Sequence, residues 1–281
     1  MAETFVRAST GEVVEIASYR TPEQAEAYKE KVKLTEDRGK SHAFTFSDMN
    51  NAQEVIQMLT TIELGYFLVL QTYIDYTNNA LIVSTHNPVP MNKGQIAEAL
   101  GIANRSKAKK NIDKFIEKGL LIEKNLNYQG KQYNAYCINE KYHFKGKTNN
   151  KAVAKSFSTQ IRKIYKLNLS KKGNKQPADL GFMYMMLPYI HYDLNVLCSN
   201  PFEKDALNIE PLSLTDLSEI TGLDKKNIQN KINNLKWDGM TVFAKLIKGN
   251  KRHLKINPFV FYRKDGSPDE SLKADFLIQG R

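Results

Sequence analysis

The sequence predicts an α+β fold that is mostly helical, has small β-hairpins and contains two similar halves. Three observations support this prediction. Segments with helical periodicity are separated by turn residues, a pair of short strands follows the helices of each half, and sequence matches recur in order about 120 residues apart. A hydrophobic content of 41% and a charged content of 25% are typical of a globular protein. The 281 residues suffice for two domains of ordinary size.

The segment Met91–Lys118 predicts two short helices joined by a tight turn. Ile96, Ala97 and Leu100 share one face of the first helix, and Gly101 stands where a left-handed residue ends a helix. The second helix has an apolar side, and basic residues surround its other sides. A short apolar helix, a glycine turn and a basic second helix are the parts of a helix-turn-helix, whose second helix enters the DNA major groove.

Two strands, Leu120–Lys124 and Gln132–Asn139, are predicted after this helix, joined by a loop over residues 127–131. A short strand is also predicted over residues 80–83, ahead of the helix pair. The whole order recurs: LGY at 64–66 matches LGF at 180–182, and Pro90–Ile102 matches Pro211–Leu223. This order of elements is that of a winged helix-turn-helix domain, so the sequence predicts two such domains in tandem.

Five segments follow from this prediction. They are an N-terminal hairpin and charged helix (1–43), the first winged helix-turn-helix domain (44–145), a linker with a helix (146–176), the second such domain (177–265) and a C-terminal tail (266–281). The alternating stretch Phe5–Ile16 predicts the hairpin, and Thr21–Asp37 predicts the charged helix. The linker helix is predicted from Ala152 to about Leu169, and the tail as a turn with a short polar extension.

The distribution of charge indicates an anionic partner. The chain carries a net charge of +11, and residues 61–150 and 151–265 contribute +5 and +10 of it. Basic surfaces bind nucleic acid by neutralising phosphates and releasing counterions, so duplex DNA is the simplest partner. The alternative is a lysine-rich surface that serves only solubility.

No enzymatic or membrane function is expected from the sequence. The two cysteines, Cys137 and Cys198, lack paired spacing, and we expect both to be buried apolar side chains. The five histidines are dispersed, and no nucleophile–base pair stands out, so we expect no catalytic residue, metal or cofactor. No apolar run reaches the length of a membrane span and the N-terminus lacks a signal-peptide pattern, so we expect a cytoplasmic protein.

Polar positions on the second helix of each half are the candidate DNA contacts. In the first half they are Asn104, Arg105, Lys107, Lys109, Lys110 and Lys114. In the second half they are Lys225, Lys226, Asn227, Gln229, Asn230, Lys231, Asn233 and Asn234. Amides pair with adenine, whereas arginine and lysine reach guanine or phosphate, so we expect the second helix to prefer A·T-rich DNA. In the wings the candidates for backbone or minor-groove contact are Lys131, Lys248, Lys251 and Arg252.

Several of these stretches resemble a known group of proteins. LGYFLVLQTYI, PMNKGQIAEALGI, the basic helix and a wing ending YCINEKYHFKG resemble the winged-helix replication proteins of Gram-positive plasmids and phages, including the RepL type. The second wing, LKINPFVFYRKDG, is similar, and two such domains in tandem resemble the iteron-binding plasmid initiators. The resemblance covers about residues 44–265, and it implies origin binding without catalysis.

Three functions remain open at this point. The first is a replication initiator of a phage, plasmid or other mobile element that binds specific duplex DNA at an origin. The second is a transcriptional repressor or activator that uses the same fold on an operator. The third is an adaptor whose winged helices bind protein. A homodimer, and contacts with the replication or transcription machinery, are open as well.

Overall fold

The structure is a computed structural model, and it describes residues 3–6, 13–16, 43–169, 175–248 and 251–277. The chain forms two compact units, Met1–His42 and Ala43–Arg281. In the first unit, strand β1 (Glu3–Val6) pairs antiparallel with β2 (Val13–Ile16). The pair overlaps the predicted hairpin Phe5–Ile16 and begins two residues before it. The helix predicted over residues 21–37 lies outside the described residues.

The second unit begins with a strand, four helices, a hairpin and a short strand. Their bounds are β3 Phe44–Asp48, α1 Met49–Met58, α2 Thr61–Leu70, α3 Lys93–Ala99, α4 Arg105–Glu117, β4 Leu121–Tyr128, β5 Lys131–Ile138 and β6 His143–Phe144. A turn of 3₁₀ helix, Gln71–Tyr73, follows α2. Each of the four helices begins after a side chain that accepts a hydrogen bond from a first-turn backbone N–H: Asp48, Thr60, Asn92 and Asn104.

The same order recurs in the rest of the unit, with a small extra hairpin. The bounds are β7 Val153–Phe157, α5 Ser158–Leu169, α6 Lys175–Met185, α7 Leu214–Thr221, α8 Lys225–Asn234, β8 Lys236–Trp237, β9 Met240–Thr241, β10 Phe243–Lys248, β11 Lys251–Ile256 and β12 Phe261–Tyr262. Turns of 3₁₀ helix cover Leu187–Tyr189 and Glu270–Phe276. With 41% helix and 24% strand, the fold is α+β as predicted. Among the described helices, none combines the length and apolar character needed to cross a membrane.

One antiparallel sheet joins the two halves of the second unit, with strand order β12-β7-β3-β6. Its central strands β3 and β7 pair so that Phe44 faces Phe157 and Asp48 faces Val153. Each residue of β3 corresponds to the residue of β7 that lies 109 positions later, so Phe44 corresponds to Val153 and Asp48 to Phe157. Exchanging the two strands leaves the pairing unchanged. An approximate twofold axis therefore passes through this strand pair.

The sequence prediction of a helix from Ala152 was wrong over its first turns. Residues 153–157 form strand β7 instead, and all five of their side chains are buried. The sequence did not predict this burial, because the strand contains the polar residues Lys155 and Ser156. The ammonium group of Lys155 donates hydrogen bonds to the carbonyl oxygens of Lys264 at 2.6 Å and Gly266 at 2.7 Å, which satisfies a charge at the centre of the sheet.

Helices α2 and α6 cross in very close contact. A β-carbon on Gly65 would lie 1.7 Å from the carbonyl oxygen of Pro177, and one on Gly181 would lie 1.7 Å from the carbonyl oxygen of Thr61. Thr61 and Gly65 correspond to Pro177 and Gly181, which lie 116 residues later, so the two contacts are equivalent. The helix crossing therefore follows the same approximate twofold symmetry as the strand pair. Only glycine permits backbones to approach so closely.

The halves also share a buried asparagine with a left-handed backbone. Asn79 has φ 59° and Asn195 has φ 53°. The side-chain amide of Asn79 donates to the carbonyl oxygen of His143 at 2.8 Å, and that of Asn195 donates to the carbonyl oxygen of Phe261 at 2.7 Å. The two halves are thus built alike at this turn as well as at the helix crossing.

Two further predictions differ from the structure. The loop predicted over residues 127–131 is a turn at Gln129-Gly130, whose positive φ values of 52° and 79° let β4 and β5 run almost to the tip. The C-terminal tail is more than a polar extension. Its segment Glu270–Phe276 forms a 3₁₀ helix, and the side chain of Phe276 is fully buried. Burial of this apolar side chain holds the tail on the body of the unit.

Candidate nucleic-acid interface

Helix α4 is held on the body by its apolar side. Ala108, Ile112 and Phe115 are buried at successive turns, as their helical spacing predicts. The turn before the helix contains Gly101 with φ 60°, and Asn104 starts the helix by accepting a hydrogen bond from the backbone N–H of Lys107 at 2.9 Å. The helix therefore exposes a polar side of fixed orientation.

Helix α8 is mounted in the same way. Ile228 and Ile232 are buried, and Gly222 ends the preceding helix α7 with φ 67°. Asp224 caps α8 by accepting from the backbone N–H of Asn227 at 2.8 Å, and the backbone N–H groups together with the Asn227 amide hold the pKa of Asp224 below its ordinary value. A carboxylate at this helix start also interacts favourably with the helix dipole.

The predicted contact residues of α4 divide into an exposed group and one anchored residue. The exposed ones are Asn104, Arg105, Lys107, Lys109 and Lys110. Lys114 is anchored, because its ammonium group lies 2.7 Å and 2.8 Å from the two carboxylate oxygens of Glu63 in α2. Its side chain is 32% exposed, so the structure assigns Lys114 an intramolecular partner where the sequence predicts DNA contact.

The residues of α8 divide similarly. The exposed ones are Lys225, Lys226, Asn227, Asn230, Asn233 and Asn234. Lys231 is anchored by Asp179 of α6 at 2.5 Å and is 19% exposed. Gln229 is half-buried and lines a groove of about 310 Å³ between α8 and the hairpin β10–β11. Asn233 accepts a hydrogen bond from Lys245 of that hairpin at 2.8 Å, so part of its hydrogen-bonding capacity is used within the protein.

The two anchoring carboxylates were not identified from the sequence. Glu63 and Asp179 lie 116 residues apart at matching positions of the two halves. This match is the sequence feature that could have identified them. Each stands midway between the residues of the reciprocal glycine contacts, Thr61 and Gly65 in α2 and Pro177 and Gly181 in α6. Both α4 and α8 are therefore tied to the crossing of α2 and α6, on either side of the approximate twofold axis.

The environment of Glu63 favours its charged form. Burial raises the pKa of this carboxyl group, but hydrogen bonds from Lys114 and from Thr60 outweigh burial and hold the pKa below its ordinary value. Thr60 and Glu63 also form a reciprocal cap at the start of α2. The ion pair with Lys114 is therefore joined to the first turn of α2, which makes it a rigid anchor.

The first hairpin is fixed against the body near its tip. The Tyr128 hydroxyl lies 2.9 Å from both the Asp75 carboxylate and the Asn78 side-chain oxygen, and burial with the nearby Asp75 raises the pKa of Tyr128 to about 12. Lys131 is exposed at the start of β5, as a DNA contact requires. In the second hairpin, Lys248 faces Lys251 at the end of the strand pairing. The tip at 249–250 and the side chains of Lys248, Lys251 and Arg252 lie outside the described part.

The described residues contain no group of three or more His, Cys, Asp or Glu side chains that could hold a metal ion. His143 is buried between the hydroxyls of Ser47 and Tyr184, each at 3.0 Å, and burial lowers its pKa to about 3. Cys137 and Cys198 are buried free thiols, as predicted, and burial raises the pKa of each to about 11.

Comparisons with protein-family models, with curated proteins and with solved structures find no match for this chain. Its function is therefore inferred from its own side chains: two exposed polar helix faces, two hairpins and an excess of basic charge.

Proposed function

We propose that the protein binds specific duplex DNA through two tandem winged helix-turn-helix domains. In this proposal α3–α4 and α7–α8 are the helix-turn-helix motifs, and the hairpins β4–β5 and β10–β11 are the wings. We propose further that it is an origin-binding replication initiator of a phage or plasmid. The resemblance of its sequence to winged-helix replication proteins supports this second step.

One observation carries the proposal. Both α4 and α8 bury an apolar side, expose a polar side and are anchored by matching carboxylates across an approximate twofold axis. Duplex DNA has local twofold axes of its own, so helices related in this way suit two half-sites in inverted orientation. The expected spacing of the half-site centres is about one helical turn, or a multiple of it.

The two helices differ in what they offer to DNA. The exposed side of α4 is basic, with Arg105, Lys107, Lys109 and Lys110, and suits phosphate and guanine. The exposed side of α8 is rich in amides and suits adenine. We therefore expect one protein chain to bind unequal half-sites, the A·T-rich one under α8.

Footprinting on the DNA of the element that encodes the protein tests the proposed role. Protection of repeated sites at a replication origin supports an initiator. Protection confined to a promoter contradicts initiation and favours a transcriptional regulator with the same fold. If no duplex is bound in a salt-sensitive manner, the DNA-binding proposal itself fails and the adaptor function gains support.

A further inference from the structure

A cation occupies the same place in both halves of the second unit, partly buried in the first half and fully buried in the second. Lys145 donates a hydrogen bond to the carbonyl oxygen of Ile74 at 2.5 Å, and Arg263 donates one to the carbonyl oxygen of Ile190 at 2.8 Å. The two isoleucines are 116 residues apart, and the two cations 118. Burial lowers the pKa of Arg263 to about 10 and lowers that of Lys145 as well.

The second half surrounds its cation with acceptors and an aromatic ring. Arg263 donates a further hydrogen bond to the carbonyl oxygen of Pro201 at 2.7 Å, and its guanidinium lies 4.7 Å from the ring centre of Phe202. Both residues belong to the loop Ser199–Pro211, which is five residues longer than the matching loop Val83–Pro90. The insertion therefore supplies the cover over this cation.

The first half lacks this cover and carries a second cation instead. Arg162 of α5 lies with its guanidinium 4.7 Å from the ring centre of Tyr73 and donates a hydrogen bond to the carbonyl oxygen of Thr72 at 3.2 Å. Its buried Nε has no hydrogen-bond partner within the described part of the chain, which is also true of the Nε of Arg263. The matching residue in the other half is the neutral Gln53, whose amide bonds to the Tyr189 hydroxyl at 2.9 Å.

Two cavities of about 290 and 300 Å³ adjoin this second cation. Both are lined by Tyr73, Val83 and Arg162, and the smaller one is also lined by Lys145. The positive charge of Arg162 adds to burial in lowering the pKa of Lys145, as expected for two neighbouring cations. The nearby Asp75 acts in the opposite direction and raises the pKa of Lys145, but it does not outweigh burial and Arg162.

We propose that these two adjoining cavities bind a small molecule that carries a phosphate or carboxylate group, with the oxyanion between Arg162 and Lys145. The oxygens of the ligand accept hydrogen bonds from the cations, as the Pro201 carbonyl oxygen does in the other half. The apolar part of the ligand packs on Tyr73 and Val83. Val83 is 50% exposed and forms the outer lip, so a ligand can enter from solvent. The site does not depend on the proposed DNA binding.

The test is calorimetric titration of the full chain with phenyl phosphate, benzoate and inorganic phosphate at constant ionic strength set with chloride. We expect saturable binding of phenyl phosphate or benzoate, and the difference between them identifies the preferred oxyanion. Arg162→Gln, which copies the residue of the other half, should weaken binding about tenfold or more, as expected for the loss of a charge-assisted hydrogen bond.

Two further variants separate binding from folding and from general charge effects. Lys163→Gln removes the same charge from the same helix, but Lys163 is paired with Asp238 outside the cavities, so binding should be unchanged. Val83→Trp should block the entrance without removing a charge. No response to any of the three probes, equal affinity in the Arg162→Gln variant, or an equal loss in the Lys163→Gln control overturns the proposal.

Discussion

Replacing Gly65 with alanine tests the close crossing of α2 and α6, to which both proposed DNA-binding helices, α4 and α8, are anchored. The added β-carbon would lie 1.7 Å from the carbonyl oxygen of Pro177, and side chains essentially never approach backbone atoms within 3.0 Å. The helices must therefore separate by more than 1 Å. Overpacking of this kind costs up to about 3 kcal/mol, and the higher helix propensity of alanine returns about 1 kcal/mol. We expect a net loss of about 2 kcal/mol in the free energy of unfolding.

Chemical and thermal denaturation measure this loss. For a unit of this size, 2 kcal/mol lowers Tm by about 4–8 °C. Gly94→Ala is the matched control, because Gly94 is exposed at the start of helix α3 and the nearest atom to its added β-carbon, the side-chain oxygen of Asn92 at 3.2 Å, need move by only a few tenths of an ångström. We expect that variant to be as stable as the wild type or slightly more stable. A Gly65→Ala protein whose stability equals that of the control would refute the close crossing.

Two other predictions concern the interface. Replacing Gln229 and Asn230 with alanine should reduce the preference for the specific DNA over random DNA. Replacing Lys251 and Arg252 should instead weaken binding to all duplexes similarly. Equal losses of affinity for specific and random DNA in the Gln229 and Asn230 variant would contradict base contact. Glu63→Gln should cost about 1 kcal/mol of stability at pH 7 by weakening the anchor of α4. Because the folded-state pKa of this carboxyl group lies below its ordinary value, its contribution is present at neutral pH. It is lost as the pH falls below the ordinary value and through the lowered folded-state pKa, where the stabilities of variant and wild type should converge.

Local sequence signals predicted the helices well. The turn glycines Gly101 and Gly222 have the positive φ values that their positions require, and the buried residues of α4 and α8 follow the apolar spacing. Matching positions were recognisable because the shift between the halves is a constant 116 residues from Leu64 to Leu81 and a constant 121 residues from Pro90 to Ile102. Helix periodicity and glycine turns are local properties, so one sequence is enough to locate them.

The sheet could not be found in the same way. Its central strands match at a shift of 109 residues, because the segment between α5 and α6 is longer than that between α1 and α2. Ser47 and Ser156 are the visible trace of this match, and their hydroxyl oxygens lie 2.8 Å apart across the twofold axis. A strand that mixes Lys155 with apolar residues lacks the alternation of a half-buried strand, so only its long-range partners reveal that it is buried.

The candidate nucleic-acid interface could also be predicted only in part from the sequence. Periodicity correctly separated the apolar from the polar side of each helix, but it could not tell solvent from a carboxylate on another helix. Lys114 and Lys231 are therefore anchors rather than free cations. Identifying their partners requires knowledge of how α2 and α6 cross, which depends on contacts between residues more than 100 positions apart.

The most direct test of DNA binding is selection of bound sites from a library of random duplexes by the full chain, repeated at two salt concentrations. We predict an enriched site with two inverted, unequal half-sites, of which the A·T-rich one loses its enrichment when Gln229 and Asn230 are replaced. Affinity should fall steeply as salt increases. Recovery of no common sequence, or of a single half-site unaffected by these replacements, would contradict the proposal that one chain binds DNA through two related helices.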